Sequence, residues 1–523
     1  MWIKRISLRN WRSFPDTPQS MLAQQGYNVI VGENNAGKSS VFAALEHALR
    51  RNPVDWKNAP WGSTIRETVF ELDIVLKESA SEIARLITGE DSGATNELAT
   101  VLEDNCEFRV SSKSEAVRTT LTVNGVDLEQ LHKGAITSIK WRQFNSQVRH
   151  GKPLLKALTE SSQAIVFQNR PGDVIAGAVA GRLRRFADIR IRPVGGQLKV
   201  EESLDGRGTA DFLFTLKNGD ARLRAKYGRI QQRFRLFFPN RGFECNRDDQ
   251  GNARISFIRD GFEFDIQPEH SGTGLFELLH IIANLEDKNG YIFVVEEPGS
   301  HLHPQAQRAL QRLMIESAEK NQVFVTSHSP EFVHWANLSG LCRAWMKGPE
   351  TLLSQAQEGQ MVANEKAILV ESLRDPRRRE VLFARAVALV EGETEEAYLE
   401  SLAPRLEVDL DALGVSVISV SGEGNYVPYM KYLEALSIPF VCQRDKYPNG
   451  IADKWKSSFF ITDGGFESFM EKEGLGGLLQ EARKAVGESK ARRGRYCGEN
   501  VTLDKVPKGH REFVTALKSL PVH

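Results

Sequence analysis

Eight residues constrain this chain more than any others. Gly32-Glu33-Asn34-Asn35-Ala36-Gly37-Lys38-Ser39 follows the short apolar run 27–31 and precedes a segment in which Val41, Ala44, Leu45 and Leu49 recur at helical spacing. A strand, a glycine loop and a helix in that order let backbone N–H groups close around phosphate oxygens, with the positive end of the helix behind them. The candidate cradle is Gly32, Asn35, Gly37, Lys38, Ser39 and Ser40. In the GxxxxGK[ST] pattern Lys38 supplies a point charge to the β and γ phosphates, and the Ser39 hydroxyl is a Mg²⁺ ligand.

Further along, 291–295 reads as a buried strand that delivers Glu296 and Glu297 at its C-terminal end, where open α/β sheets bind their ligands. One carboxylate there, Glu296, suits Mg²⁺; its neighbour Glu297 suits orientation of an attacking water. Helical patterns at 275–285 and 304–319 flank this strand, and a second apolar strand, 322–327, leads into His328, a candidate γ-phosphate sensor. These elements predict an α/β fold that binds and hydrolyses ATP.

The length of 523 residues suggests two to four domains, and 41% apolar with 26% charged residues is ordinary globular composition. Lys+Arg and Asp+Glu both number 68, so any nucleic-acid contact must come from local patches. Cys106, Cys245, Cys342, Cys442 and Cys497 stand singly, which argues against a disulfide framework or structural zinc and fits a reducing compartment. The N-terminus lacks an apolar run long enough for a signal peptide, and no stretch nears about 18 consecutive apolar residues. The expectation is a cytoplasmic protein without a membrane span.

The opening residues, 69–77 and 107–128 read as strands, with Asn124-Gly125 as a hairpin turn. From 175 to 240 the chain reads as a helical, basic insert: Arg182, Arg184, Arg185, Arg190 and Arg192, then Arg222, Arg224, Lys226, Arg229, Arg233 and Arg235. Such clusters track a phosphate backbone or form a solvated helical face. Residues 346–380 read as a polar linker. Strand–helix alternation restarts at 386–392, 415–422 and 438–445, a second and smaller βαβ unit. The expected domains are 1–345, a linker, and 381–523.

The combined motifs resemble the ABC-type ATPases that include structural-maintenance, recombination-repair and OLD (overcoming lysogenization defect) proteins. EEPGSHLHP at 296–304 is similar to the OLD form of the acidic strand end, and RNWRSF at 9–14 to the family's opening strand. The resemblance implies that Ser271 and Gly272, ahead of a helix, form a signature loop presented to ATP on a second protomer, so that two heads meet for hydrolysis. It also implies that Arg12 approaches the nucleotide and that the helical insert at about 175–240 mediates dimerisation.

The second βαβ unit resembles a Toprim domain, the metal-binding fold of topoisomerases, primases and OLD nucleases. Glu391 in Val390-Glu391-Gly392-Glu393-Thr394-Glu395 stands for the Glu after the first strand, and Gln443-Arg444-Asp445 for the later DxD. The resemblance implies that Glu391, Glu395, Asp445 and Glu467 converge on Mg²⁺, with Mn²⁺ or Ca²⁺ as alternatives, and that Lys508 neutralises phosphate charge. Gln443 departs from the pattern. Either the centre works one carboxylate short, or it is a degraded centre that still binds DNA or a partner. Lys490, Arg492, Arg493 and Arg495 form a DNA-facing patch or a solvated, glycine-bearing loop. The expected protein is therefore an ABC-type ATPase head with a helical insert followed by a Toprim domain. It would be an antiphage DNA endonuclease gated by its ATPase state, dimeric through its heads, with a defence-system protein or RNA as a further partner. The alternative is an ATPase sensor or scaffold with a non-cleaving Toprim.

Overall fold

The structure is a computed structural model. It describes residues 2–50, 69–75, 107–113, 116–123, 126–127, 182–186, 208–261, 273–448 and 451–520, with single positions at 82, 85, 178 and 180. The chain forms two compact units. One comprises Met1–Ile30, Asn34–Phe332 and Pro349–Leu353; the other comprises Val31–Glu33, Val333–Gly348 and Ser354–His523.

The first unit opens with β1 (Trp2–Arg9), β2 (Gln19–Leu22), β3 (Tyr27–Val31) and α1 (Lys38–Arg50). Strands β4 (Val69–Val75), β5 (Glu107–Lys113), β6 (Ala116–Val123) and β7 (Val126–Asp127) extend an antiparallel sheet in the order β2-β1-β4-β5-β6-β7. Val123 pairs with Val126 across β6 and β7, while Asn124-Gly125 lies outside the described residues. Next come β8 (Leu183–Phe186), α2 (Thr209–Asn218), α3 (Ala221–Phe237), β9 (Arg241–Arg247) and β10 (Ala253–Arg259). Helix α4 (Thr273–Asp287), β11 (Ile292–Glu296), α5 (Pro304–Ser317) and β12 (Gln322–Ser327) complete the unit.

The sheet that carries the glycine-loop motif includes the run β3-β12-β11-β8. Strands β3 and β12 are buried at every position, and so is β11 up to its last residue. Their centres, Val29–Val31, Ile292–Val295 and Val323–Val325, are continuous apolar runs because strands covered on both faces have no solvent side to make polar. Helix α1 seats Val41, Phe42 and Leu45 in the core, with the Phe42 ring 5.5 Å from Phe324 of β12.

The basic insert differs from its expected form. Arg184 and Arg185 lie in β8, opposite Phe293 and Val294 of β11 in a parallel pair, and not in a helix. Among the described residues β8 is the edge of its sheet, where charged residues are tolerated, so tertiary pairing overrides a local pattern that looks helical. Arg190 and Arg192 lie outside the described residues. Helices α2 and α3 do form, closing over the β9–β10 hairpin with Phe234 set 5.5 Å from Phe243 and 5.7 Å from Phe257. Two of the α3 arginines are structural. Arg229 pairs with Glu286 of α4 at 2.7 Å, and Arg233 reaches Glu286 at 3.6 Å and Glu316 of α5 at 2.6 Å.

Beyond β12 the chain continues through β13 (Leu341–Lys347), β14 (Glu350–Gln355), α6 (Ala363–Ser372) and α7 (Pro376–Arg379). The stretch expected as a linker, 346–380, thus carries a strand and two helices. Its exposed composition hides a few anchors: Leu369 and Leu373 are buried, and Glu365 holds Lys431 at 2.7 Å. Helices of this length draw their stability from such contacts rather than from propensity.

The second unit is built on β15 (Ala386–Val390), α8 (Glu393–Leu402), α9 (Leu410–Leu413), β16 (Val415–Ser419), α10 (Tyr426–Ala435), β17 (Phe440–Arg444) and β18 (Phe459–Ile461). Four helices follow: α11 (Phe466–Lys472), α12 (Gly476–Val486), α13 (Lys490–Asn500) and α14 (Lys508–Lys518). The sheet is parallel with order β16-β15-β17-β18. The polar segment 487–500, for which a solvated loop was one expectation, is helix α13. Its Gly494 and Gly498 lie against α8: a Cβ on Gly494 would sit 2.1 Å from the Thr394 carbonyl oxygen, and one on Gly498 2.6 Å from that of Tyr398. Two glycines one turn apart let two helix backbones touch, and that contact decides the segment's fold.

His510 of α14 is buried among Tyr398, Phe466 and Phe469, with ring centres 4.9, 6.2 and 4.9 Å away. Burial pushes its pKa down to about 3. An unfolded histidine titrates near about 6.5, so the neutral ring contributes stability above that pH, and the contribution is lost as pH falls toward the folded value. Going from pH 7.5 to 5.0 costs about 2 kcal/mol through this group. Thermal melts at those two pH values will show a smaller drop for His510→Phe than for the wild type.

Cys245, Cys342, Cys442 and Cys497 are buried and reduced. Among the described residues no helix is long and apolar enough to cross a membrane.

Candidate functional site

The glycine loop, which belongs to the first unit from Asn34 onward, leads directly into α1. Asn35 and Gly37 adopt left-handed backbone, φ 65° and 85°. Gly37 has a second constraint, because a Cβ there would meet the Thr351 hydroxyl at 2.5 Å. Lys38 and Ser39 open the helix, and the Lys38 side chain is only 6% exposed. Ser40 is fixed from the opening strand's exit: Trp11 Nε1 donates to its carbonyl at 3.0 Å and Arg12 Nη1 to its hydroxyl at 3.3 Å. Arg12, itself at φ 52°, therefore stands beside the loop's helical end.

The acidic end of β11 faces this loop. Glu296 closes the strand opposite Thr326 of β12. Glu297, one residue on, turns left-handed at φ 46°, and its N–H donates to the Thr326 carbonyl at 2.8 Å. Its carboxylate then bridges two of the expected residues. Oε1 lies 3.3 Å from the Lys38 ammonium, and Oε2 accepts from the His328 backbone N–H at 3.1 Å and sits 2.7 Å from His328 Nδ1. Lys38, Glu297 and His328, the first more than two hundred positions before the other two in sequence, form one contiguous polar cluster.

Two supporting residues escaped the sequence reading. Thr326 holds the Glu297 backbone through its carbonyl and, at 3.3 Å, its hydroxyl. Gln307 of α5 donates to the carbonyls of Gly299 and Leu302 at 2.9 and 3.0 Å and accepts from the Ser329 hydroxyl at 2.7 Å, tying the turn after Glu297 to the turn after His328. The motif PGSHLHP carried a partial signal. His303 caps α5 by accepting from the Ala306 N–H, and Pro304 takes the first helical position. The motif therefore fixes where α5 begins, and with it Gln307. Ser271 and Gly272 of the expected signature loop lie outside the described residues; α4 begins at Thr273 immediately after them.

In the second unit the carboxylates collect at the C-terminal ends of the parallel strands. Glu391 follows β15, and Gly392 then starts α8, whose first turn carries Glu393, Glu395 and Glu396, favourably placed for the helix dipole. Glu396 is structural: it accepts from the Ser419 N–H at 2.9 Å. Burial raises the Glu395 pKa, and the nearby charges of Glu391 and Glu467 raise it further. Glu467 lies in the first turn of α11.

The expected DxD position is occupied by Gln443, Arg444 and Asp445. Gln443 is buried, and neither of its amide atoms has a hydrogen-bond partner among the described residues. The Arg444 side chain is 1% exposed; its Nε lies 3.5 Å from Asp445 Oδ1 and 4.0 Å from Glu391 Oε2, with the guanidinium 5.7 Å from the Tyr426 ring centre. Tyr426 in turn donates its hydroxyl to the Gln443 carbonyl at 2.7 Å. On the other flank, Arg493 of α13 is 10% exposed and lies 3.8 Å from Glu467. Lys508 is elsewhere: it is 88% exposed at the start of α14, and its ion-pair partner is Glu512 of the same helix at 3.7 Å.

Glu391, Glu395 and Glu467 are near enough for their charges to act on Glu395, yet among the described residues no three acidic, histidine or cysteine side chains close on one metal position. Oxygen donors at the ends of parallel strands suit a hard divalent cation. The interleaved arginines Arg444 and Arg493 neutralise part of their charge.

Two family models match separate parts of the chain. The model described as "Overcoming lysogenization defect protein-like, TOPRIM domain" matches residues 382–446, and an AAA ATPase domain model matches 1–147 and 203–333. An OLD nuclease of Thermus scotoductus is 31% identical over 486 residues, covering 85% of this chain and 82% of that protein. Endonuclease GajA of Bacillus cereus is 22% identical over 465 residues, covering 85% and 75%. Among solved structures, an SMC head bound to the C-winged helix domain of ScpA covers 69% of this chain and 99% of its own, with 14% identity and a TM-score of 0.42. By sequence relationship and by the joining of these two domains, the chain belongs to the OLD nuclease family, enzymes with an ABC-type ATPase head followed by a C-terminal Toprim domain.

Proposed function

We propose that this protein is an ATP-hydrolysing, divalent-metal-dependent DNA endonuclease whose head state gates cleavage at the Toprim centre, acting in antiphage defence in the cytoplasm. The head is assigned to 1–345 and the Toprim part to 381–523. The observation that carries the ATPase half is the Glu297 carboxylate set between the Lys38 ammonium and His328 at the end of β11. Gly32, Asn35, Gly37 and Ser40 shape the phosphate cradle, Lys38 binds the β and γ phosphates, Glu297 orients the attacking water, and His328 contacts the γ-phosphate. Ser39 and Glu296 are the metal ligands of the head. Ser271 and Gly272 complete the site of a second protomer, which makes the working form a dimer through its heads.

For the nuclease half, Glu391, Glu395, Asp445 and Glu467 hold the divalent ion, Mg²⁺ with Mn²⁺ or Ca²⁺ as alternatives. A bound ion supplies charge neutralisation to the phosphate oxygens of the cleaved bond. Glu391 and Asp445 are the carboxylates that a phosphodiester must approach for this chemistry. Lys508 is proposed as the late lysine of this centre, exposed and able to meet DNA from outside the carboxylate cluster. A defence-system protein or RNA is a further proposed partner.

The second reading, an ATPase sensor with a non-cleaving Toprim, draws on Gln443 and the Arg444 ion pairs. Plasmid nicking separates the two. With Mg²⁺ or Mn²⁺ the wild type converts supercoiled plasmid to open circle, and Glu391→Ala lowers the rate by about 100-fold or more. Equal rates for both proteins, across both metals and with and without ATP, would leave the sensor reading.

A further inference from the structure

We infer that the cavity beside β16 in the second unit is a subsite for a backbone phosphate of the DNA strand, with Arg378 as the group that binds it. The inference rests on reading this unit as the DNA-acting part of the protein. It does not require that the protein cut DNA or hold a metal ion.

The first support is the cavity itself. It has a volume of about 600 Å³, the size class of a small-ligand site, and is walled by α6, by α7 and by the turn that leads from β16 into α10. Ile368 and Val420 give it an apolar side; Ser372, Arg378, Ser421 and Asn425 give it a polar one. One nucleotide of a DNA strand has the same division, an apolar sugar and base beside a charged phosphate. Among the described residues β16 is an edge strand, so a long polymer can cross the cavity without threading into the core.

The second support is the state of Arg378. Its Nη1 donates to the Ser372 hydroxyl at 3.0 Å and its Nη2 to the Ser421 hydroxyl at 2.6 Å. Ser372 is in turn hydrogen-bonded to the hydroxyl of the buried Tyr429. The guanidinium is thus held in place by neutral oxygens, which leave its charge and its remaining N–H groups for an anion. Two carboxylates also line the cavity, and each has a partner of its own. Glu371 pairs with Arg374 at 3.1 Å, and Asp375 accepts from the Arg377 N–H at 3.0 Å as the N-cap of α7. Glu396, a further carboxylate within electrostatic reach of Arg378, is committed to the Ser419 N–H at 2.9 Å. Arg374, Arg377 and Arg378 outweigh Glu371 and Asp375, so this segment is net positive.

The third support is place. Ser421 and Gly422 turn left-handed directly after β16, with φ 57° and 128°. The turn rests on the end of the neighbouring strand: the Val420 N–H donates to the Val390 carbonyl at 2.9 Å, and the Gly422 N–H to the Glu391 carbonyl at 3.2 Å. Neighbouring strands lie about 4.8 Å apart, and successive phosphates of one DNA strand rise by about 3.4 Å. A strand whose phosphodiester approaches Glu391 therefore carries a nearby phosphate past Ser421 and Arg378.

DNA binding followed by fluorescence anisotropy tests the inference. The sample is nucleotide-free full-length protein in EDTA, so that no strand is cut, with short labelled duplexes of two unrelated sequences. Arg378→Ala is expected to weaken binding of both about tenfold and to flatten the slope of log K against log salt by about 1, whereas Arg378→Lys keeps the wild-type slope. Ser421→Asp places a rival anion beside the guanidinium, on a backbone conformation that aspartate tolerates, and should reproduce the Arg378→Ala loss. Wild-type affinity and slope in Arg378→Ala would overturn the inference. So would a loss of affinity that tracks a fall in Tm at unchanged slope, which is what a purely structural arginine gives. If Arg378→Ala does not fold by circular dichroism, Ser421→Asp decides. The phosphorus NMR line of inorganic phosphate separates the two sources of the anion: broadening that depends on Arg378, with DNA affinity unchanged in Arg378→Ala, would assign the cavity to free phosphate and overturn the inference. Duplex bound through Arg378 by a wild type that nicks nothing with Mg²⁺ or Mn²⁺ overturns the nuclease reading and leaves this subsite standing.

Discussion

Replacing Glu297 with glutamine slows ATP hydrolysis by about 100-fold to 1,000-fold in a phosphate-release assay, while nucleotide binding is retained. The substitution preserves side-chain volume and removes only the negative charge that faces Lys38 at 3.3 Å and His328 at 2.7 Å. A water held by the neutral amide is no longer activated toward the γ-phosphate, so chemistry suffers and binding does not. Lys38→Ala gives the complementary loss. Its ammonium is almost wholly buried behind the loop, and without it a fluorescent ATP analogue binds at least about tenfold more weakly. An unchanged hydrolysis rate in Glu297→Gln would move the water-orienting role to Glu296 or to a second protomer.

The largest structural effect is expected at Gly494. Valine there drives a side chain into the Thr394 carbonyl, 2.1 Å from the position of the added Cβ, and backbone cannot give way as a flexible side chain can. The cost is about 3 kcal/mol or more, a fall in Tm on the order of 10 °C. Because α8 carries Glu395 in its first turn, nicking should be lost at temperatures where the protein remains folded. Gly477→Ala on α12 is the control: nothing lies within 4 Å of its added Cβ, and it should leave Tm unchanged or raise it slightly. Equal melting of the two variants would show that α13 does not pack on α8 through its glycines.

The residues legible in the sequence were those whose chemistry is encoded over a few neighbouring positions. The phosphate loop, the carboxylates after β11 and Glu391 after β15 each combine an apolar run with a polar terminus, and a parallel sheet places such termini on one edge. What was not legible depends on partners distant in the chain. Nothing near Arg444 announces that it is buried between Glu391 and Asp445, because arginine is ordinarily a surface residue. Segment 487–500 looks like a loop until α8 is present to receive Gly494 and Gly498. Arg184 and Arg185 resemble a basic helix until β11 supplies a partner for the strand. Residues 346–380 look unstructured because their anchors, Leu369, Leu373 and Glu365, are few and widely spaced. The single alternating or helical period that sequence patterns detect carries no information about such long-range pairings.

Glu297 is held in a left-handed backbone conformation that a branched or long side chain adopts at a cost of roughly 1–3 kcal/mol. Glycine would relax there, and asparagine would fit with less strain. The head therefore falls short of its own stability optimum at the position where its proposed water-orienting chemistry needs a carboxylate. Selection of variants for thermal robustness alone would drift toward Gly or Asn at 297, and the survivors would be sturdier proteins that no longer turn over.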